Sequence, residues 1–142
     1  MEKGLYRWSL EVPEDALDEN GHVNNVVYVG WMQEVANRHA DSLGCTRETR
    51  AAGAMWVVYE HRIRYLKPAF AGDLLEVRTW VEKMRFAQST RHTEIARLEG
   101  GGEVILSRGA TEYVFVDAQS GMPRRIPPEV SGVFTFLERA GT

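Results

Sequence analysis

The residues best equipped for chemistry are Asp18-Glu-Asn-Gly-His-Val-Asn-Asn25, which place two carboxylates, an imidazole and three carboxamides within eight residues. They directly precede a helical pattern over Val26 to Leu43, where Tyr28, Met32, Val35, His39 and Leu43 recur at the spacing of one helix face. The polar cluster is therefore predicted to sit at a helix N-terminus. Such an end offers unpaired backbone N–H groups and about half a positive charge, which polarise a carbonyl and stabilise a developing oxyanion. A single acid or base beside it completes a hydrolytic site.

The elements that must position this cluster follow from pattern and punctuation. Leu5 to Val12 reads as a strand stopped at Pro13, and Pro13 to Gly21 as an acidic loop. Asn24 or Asn25 can cap the helix, and Gly44 suits a left-handed exit from it. After a connector over Cys45 to Gly53, four strand patterns follow: Met55 to Leu66, Leu74 to Met84, Phe86 to Leu98 and Glu103 to Val116. In the second, Leu75, Val77, Thr79 and Val81 alternate with Glu76, Arg78, Trp80 and Glu82, predicting one buried face and one wetter face. Gly100-Gly-Gly102 predicts a tight hairpin, Lys67 to Asp73 a longer loop, and Pro123 to Pro128 a short irregular C-terminal segment that carries little information. Strands this long must twist and curve, and the one long helix is the body they can curl around. The expectation is an α+β fold, one domain over residues 1–142.

Composition narrows the partners. The chain has 142 residues, 44% of them hydrophobic, and a formal net charge of −3 with no clustered basic run, which argues against nucleic acid. A lone cysteine, Cys45, allows no internal disulfide and suits a reducing compartment. The first residues lack the apolar core of a signal peptide, and no later run is long and apolar enough to cross a bilayer. These features point to a cytoplasmic protein with no membrane partner. His39, His61 and His92 show no metal-ligand spacing, and no metal or cofactor is expected.

Asp18-x-x-Gly21-His22-Val23-Asn24-Asn25-x-x-Tyr28, followed by Trp31 and Glu34, resembles the hotdog-fold thioesterases, closest to the 4-hydroxybenzoyl-CoA thioesterase group. Ile63-Arg-Tyr65-Leu-Lys-Pro68, Gly72-Asp73 and Ile126-Pro127 extend the likeness over nearly the whole chain. The resemblance implies a five-stranded antiparallel sheet around a central helix, and a homodimer or homotetramer whose sheets join edge to edge with the active site at the dimer interface. It implies an acyl-CoA substrate and places the catalytic carboxylate on Asp18. The Asp18-x-Asn20-x-His22-Val-Asn-Asn string also resembles acyl-ACP thioesterases, although the downstream acid of those enzymes has no counterpart in Arg64 to Pro68. A non-catalytic acyl-CoA-binding module is the remaining alternative.

The chemistry also stands without the family. Thioester hydrolysis needs an oxyanion site and a carboxylate that activates water or attacks the carbonyl, while the thiolate leaves with little protonation. Asp18 is the candidate for that carboxylate, with His22 or Asn20 orienting water or Asp18 itself. Substrate-binding candidates are Gly21, Asn24, Asn25 and Tyr28 around the helix end, plus Lys83, Arg85 and Arg91 as surface cations for the coenzyme A phosphates. Each has a plainer alternative: Asp18 and Asn20 as loop residues bonding their own backbone, Asn24 and Asn25 as caps, Tyr28, Trp31 and Met32 as core, and the cations as a solvated turn.

Overall fold

The structure is a computed structural model that describes residues 2–139; the extreme ends of the expected domain lie outside the described residues. Strand β1 (Tyr6–Glu11) leads through a single 3-10 turn at Glu14–Ala16 to helix α1 (Asn25–Leu43) and helix α2 (Cys45–Ala51). Then come β2 (Ala54–Tyr65), β3 (Leu74–Arg85), β4 (Gln88–Glu99), β5 (Gly102–Asp117) and the short α3 (Pro128–Ser131). The strands form one antiparallel sheet in the order β1-β3-β4-β5-β2. The fold class is α+β, a curved five-stranded sheet around a long helix.

Helix α1 begins and ends where side-chain chemistry dictates. Asn24 is extended (φ −60°, ψ 135°), and its side-chain oxygen accepts the Val26 N–H at 3.0 Å. Gly44 closes the helix at φ 81°, a conformation open to glycine, with its N–H returning to Ala40 and Asp41 carbonyls. The buried face carries Tyr28, Trp31, Met32, Val35, Ala36 and His39. Leu43, expected on that stripe, is exposed, because the chain turns at Gly44 and Cys45 and Thr49 of α2 take over the burial. Met32 reaches the sheet at Gly109, where an added Cβ would stand 2.9 Å from the methionine methyl and 3.1 Å from the Arg62 carbonyl oxygen. That glycine lets helix and sheet approach closely.

Two clusters flank the middle of α1. One joins Val12, Val23, Tyr28, Val35, Leu75 and Ile95 toward the helix N-terminus. The other joins Cys45, Val81, Phe115, Ile126, Val130 and Phe134 toward its C-terminus. The second cluster corrects the expectation of an uninformative tail: three of its members follow Pro123, so the C-terminal segment completes the core. The connector after Gly44 is likewise helical, as α2.

The alternation of β3 also needs correction. Its helix-facing residues are buried as predicted, but Arg78 and Trp80 on the opposite face are buried too. His92 stacks on Trp80 at 5.6 Å, the Arg139 guanidinium lies 4.9 Å from the Trp80 ring centre, and Leu137 N–H donates to Val81 O at 3.0 Å. The tail thus roofs that end of the face. Arg78 sits among Glu76, Glu94 and Glu103, which shield the other end. The β3–β4 turn falls on Phe86 and Ala87 rather than Met84 to Phe86, with Arg85 paired to Gln88 and Phe86 at φ 52°.

Candidate active site

The loop before α1 is a closed turn built from backbone. Leu17 bridges Val23, and Asp18 N–H donates to His22 O at 2.7 Å. The Asp18 carboxylate completes the turn: its Oδ1 accepts the N–H groups of Asn20 at 2.9 Å and His22 at 3.2 Å. The plain loop-bonding role foreseen for Asp18 is therefore real, but it occupies one oxygen; Oδ2 has no hydrogen-bond partner among the described residues. A carboxylate anchored through one oxygen presents the other in a defined direction.

The β2–β3 connection forms the opposite wall. Val23 N–H donates to Ala69 O at 2.9 Å, and the His22 ring meets the Phe70 ring edge-on with centres 5.2 Å apart. Arg97 holds this connection by donating to Pro68 O at 3.0 Å while lying 3.6 Å from Asp73. Between the walls is an open cavity of about 220 Å³, lined by Asp18, His22, Asn25, Tyr28, Tyr65 and Lys67, among others. Tyr65 donates its hydroxyl to Asn25 O at 2.9 Å and packs edge-on against Tyr28 at 5.1 Å. Burial raises the pKa of both phenols, which keeps them protonated.

At the helix end, the amides are not equally available. Asn24 takes the Val26 N–H through its side chain and the Val27 N–H through its carbonyl at 2.9 Å. The Asn25 N–H, first in the helix, has no partner among the described residues, and Asn25 lines the cavity. It is the one amide of these three left to receive an oxyanion.

The structure thus brings Asp18, His22, Asn25 and Tyr28 together. Asn20, Gly21 and Asn24 shape the loop and cap the helix from outside the cavity: Asn20 touches Asp18 through its backbone N–H, and Gly21 sits in the turn at φ 80°. Lys83 and Arg85 are exposed at the far end of β3, about 30 and about 36 Å along the strand from Leu74 at ~3.3 Å per residue, so within one chain they cannot reach this cavity. Arg91 is no surface cation. It is 5% exposed, donating through Nη1 to His39 Nδ1 and Thr79 Oγ1, each at 3.0 Å. Tyr65 and Lys67 were given no role in the sequence reading, although they stand in the Ile63-to-Pro68 stretch that resembled the family; their place depends on the folding of β2 over the helix end.

Cys45 is buried, and burial raises its thiol pKa, as suits an inert side chain. No helix among the described residues is long and apolar enough to cross a membrane.

The profile of the thioesterase-like superfamily matches residues 12–134, from the residue after β1 to beyond α3. The chain belongs to that superfamily. Its activity class is accordingly thioester hydrolysis. The superfamily match spans both walls of the Asp18 cavity. Among relatives, an acyl-acyl carrier protein thioesterase, ATL2, of Arabidopsis thaliana is 27% identical over 95% of this chain and 71% of its own length. The acyl-CoA thioester hydrolase YbgC of Escherichia coli is 26% identical over 94% of this chain and 98% of its own. A 4-hydroxybenzoyl-CoA thioesterase variant, solved with 4-hydroxybenzoyl-CoA, superposes with a TM-score of 0.83 at 14% identity, over 93% of this chain and 99% of that one. At that identity the likeness is one of fold, and it establishes the hotdog architecture for this superfamily member.

Proposed function

We propose that this thioesterase hydrolyses acyl-CoA to a carboxylic acid and coenzyme A, with Asp18 as its catalytic carboxylate. The observation that carries the reading is the split role of Asp18: Oδ1 is fixed by two loop amides while Oδ2 has no partner among the described residues, and Asp18 lines one cavity with Asn25, the residue that bears the first amide of α1. With the thioester oxygen against the Asn25 N–H, Oδ2 would either take a proton from an attacking water or attack the carbonyl carbon itself, giving an anhydride that water then cleaves. The departing thiolate is stable enough to leave with little protonation, so no separate strong acid is required. His22, edge-on to Phe70, lines the approach and can orient the water.

Assembly through the free edge of β2 would complete the site. This twelve-residue edge strand exposes Met55, Val57, Val58 and Tyr59, a surface that stays soluble most readily when paired. Antiparallel pairing of β2 with its copy sets the Tyr65 end of one chain against the Ala54 end of the other. It would bring the end of the sheet bearing Lys83 and Arg85 to the same side as the second copy's Asp18 cavity, where those cations, with Lys67, could meet coenzyme A phosphates. The free, buried Cys45 suits a reducing cytoplasm.

The test is thiol release, followed with a disulfide dye, from short, medium, long and aromatic acyl-CoAs and from the matching acyl-carrier proteins. Turnover of acyl-CoA supports the reading. Turnover confined to carrier-protein substrates would move the chain to the acyl-ACP reading, and saturable binding without turnover would make it a binding module.

A further inference from the structure

Beside the second cluster lies a cation that no carboxylate of the described residues neutralises. Arg91 projects from β4 toward the C-terminal half of α1 and is 5% exposed. Its Nη1 is bonded to His39 and Thr79, whereas Nε and Nη2 have no partner among the described residues and are not sealed from solvent. They belong to a side chain that lines a cavity of about 80 Å³ with Trp56, Met84, Tyr113 and Phe134. The charged groups nearest in effect are Tyr113 and Cys45, both neutral unless ionised, and no carboxylate of the described residues pairs with the guanidinium. His39 cannot compensate it: burial, with Arg91's own charge second, pushes the imidazole down to about 3, leaving it neutral with Nδ1 as acceptor. A buried guanidinium that lines an apolar cavity and keeps a two-donor edge unused is a fork awaiting a planar oxyanion.

We propose that this cavity takes the distal end of an acyl group that carries a carboxylate, paired through two hydrogen bonds to Arg91. The substrate class is then the coenzyme A monothioester of a short dicarboxylic acid. The apolar walls suit the methylene segment, and the small volume excludes a nucleotide. This rests on the thioesterase reading, and the geometry says how the two cavities cooperate. Along one helix, Tyr28 of the Asp18 cavity and Asn37, which lines the Arg91 cavity, are nine residues apart, about 13 Å at ~1.5 Å per residue, with Met32 and the bonded pair Gln33 and Tyr113 between them. Antiparallel β2 pairing instead brings Trp56 of one copy beside the Tyr65 end of the other, so the Arg91 cavity of one chain would serve the thioester site of its mate. Arg91 is then a specificity residue.

The test compares kcat/KM for glutaryl-CoA with that for 5-methylhexanoyl-CoA, in which a neutral isopropyl group replaces the carboxylate. The wild type should favour glutaryl-CoA at least tenfold. Arg91→Met should lower that ratio at least tenfold, while Arg91→Lys, which keeps the charge without the fork, should retain part of it. A wild-type preference for the neutral chain, or a ratio unchanged in Arg91→Met, overturns the proposal. Calorimetric titration of the unaltered protein with glutarate and with inorganic phosphate removes any dependence on variant folding: saturable glutarate binding, stronger than phosphate, supports the assignment, and absent or weaker glutarate binding overturns it. Glutarate binding with no turnover of either thioester would refute the thioesterase reading and leave the anion site standing.

Discussion

The two ends of helix α1 hold polar groups in opposite ways. At the N-terminal end, Asp18, His22 and Asn25 sit on a turn closed by backbone hydrogen bonds and opened to solvent on one side. At the other end, Arg91 and His39 are buried and held by each other and by the apolar cluster around Phe115. A site built on backbone can exchange its reactive side chain without losing its shape. A site built on burial cannot, because each polar group it contains is costly to leave unpaired. Substitutions at the first end should therefore cost activity, and those at the second should cost stability.

The largest stability effect is expected in the second region. Phe115 is fully buried and packs edge-on against Trp56 with ring centres 4.9 Å apart, so Phe115→Ala should destabilise by about 3–5 kcal/mol in urea unfolding. A loss under ~1 kcal/mol would mean that the cluster under Arg91 is loosely packed and the contrast is false.

Next comes pH. His39 has its pKa lowered from 6.5 to about 3, first by burial and then by Arg91. Because the unfolded chain takes up the proton first, the stability from neutral His39 is present above pH 6.5 and is lost as pH falls toward 3. Between pH 7 and pH 5 the loss should be about 2 kcal/mol, and His39→Gln should flatten the slope. A slope equally steep in the variant would assign the titration to another group.

Smaller effects are expected at the first end. Asn24→Ala removes the cap on Val26 N–H and should cost about 1 kcal/mol of stability. It should also lower kcat, because the uncapped first turn holds the Asn25 amide less firmly in place. Tyr65→Phe deletes the exposed bond to Asn25 O, which water can replace, and should reduce kcat/KM several-fold with little change in unfolding. If Tyr65→Phe instead lowered stability and spared activity, the cavity wall would belong with the core.

The contrast also explains what the sequence could disclose. The helix, its Asn24 and Gly44 caps and the loop ending at Asn25 were legible because each depends on neighbours a few residues away. Arg78 and Trp80 misled because alternation reports which residues share a face, not what covers it; Leu137 and Arg139, far along the chain, cover the Trp80 end, and Glu76, Glu94 and Glu103 surround Arg78. Ile126, Val130 and Phe134 lacked a readable period because prolines interrupt the segment, and only the folded tail shows them as core. Arg91 was taken for a surface cation because a β-strand next to a charged turn gives no sign of which side faces the helix. Tyr65 and Lys67 reach the cavity through the β2–β3 connection, a tertiary meeting that no spacing encodes.

The most direct test of the central claim is the turnover of Asp18→Asn. Asparagine keeps an Oδ1 that can accept the Asn20 and His22 amides, so the loop should hold its shape while the free carboxylate oxygen is lost. Thiol release from the best acyl-CoA substrate should fall by about 10²–10⁴-fold, with unfolding stability within ~0.5 kcal/mol of the wild type. Undiminished turnover in a folded Asp18→Asn protein would contradict the account.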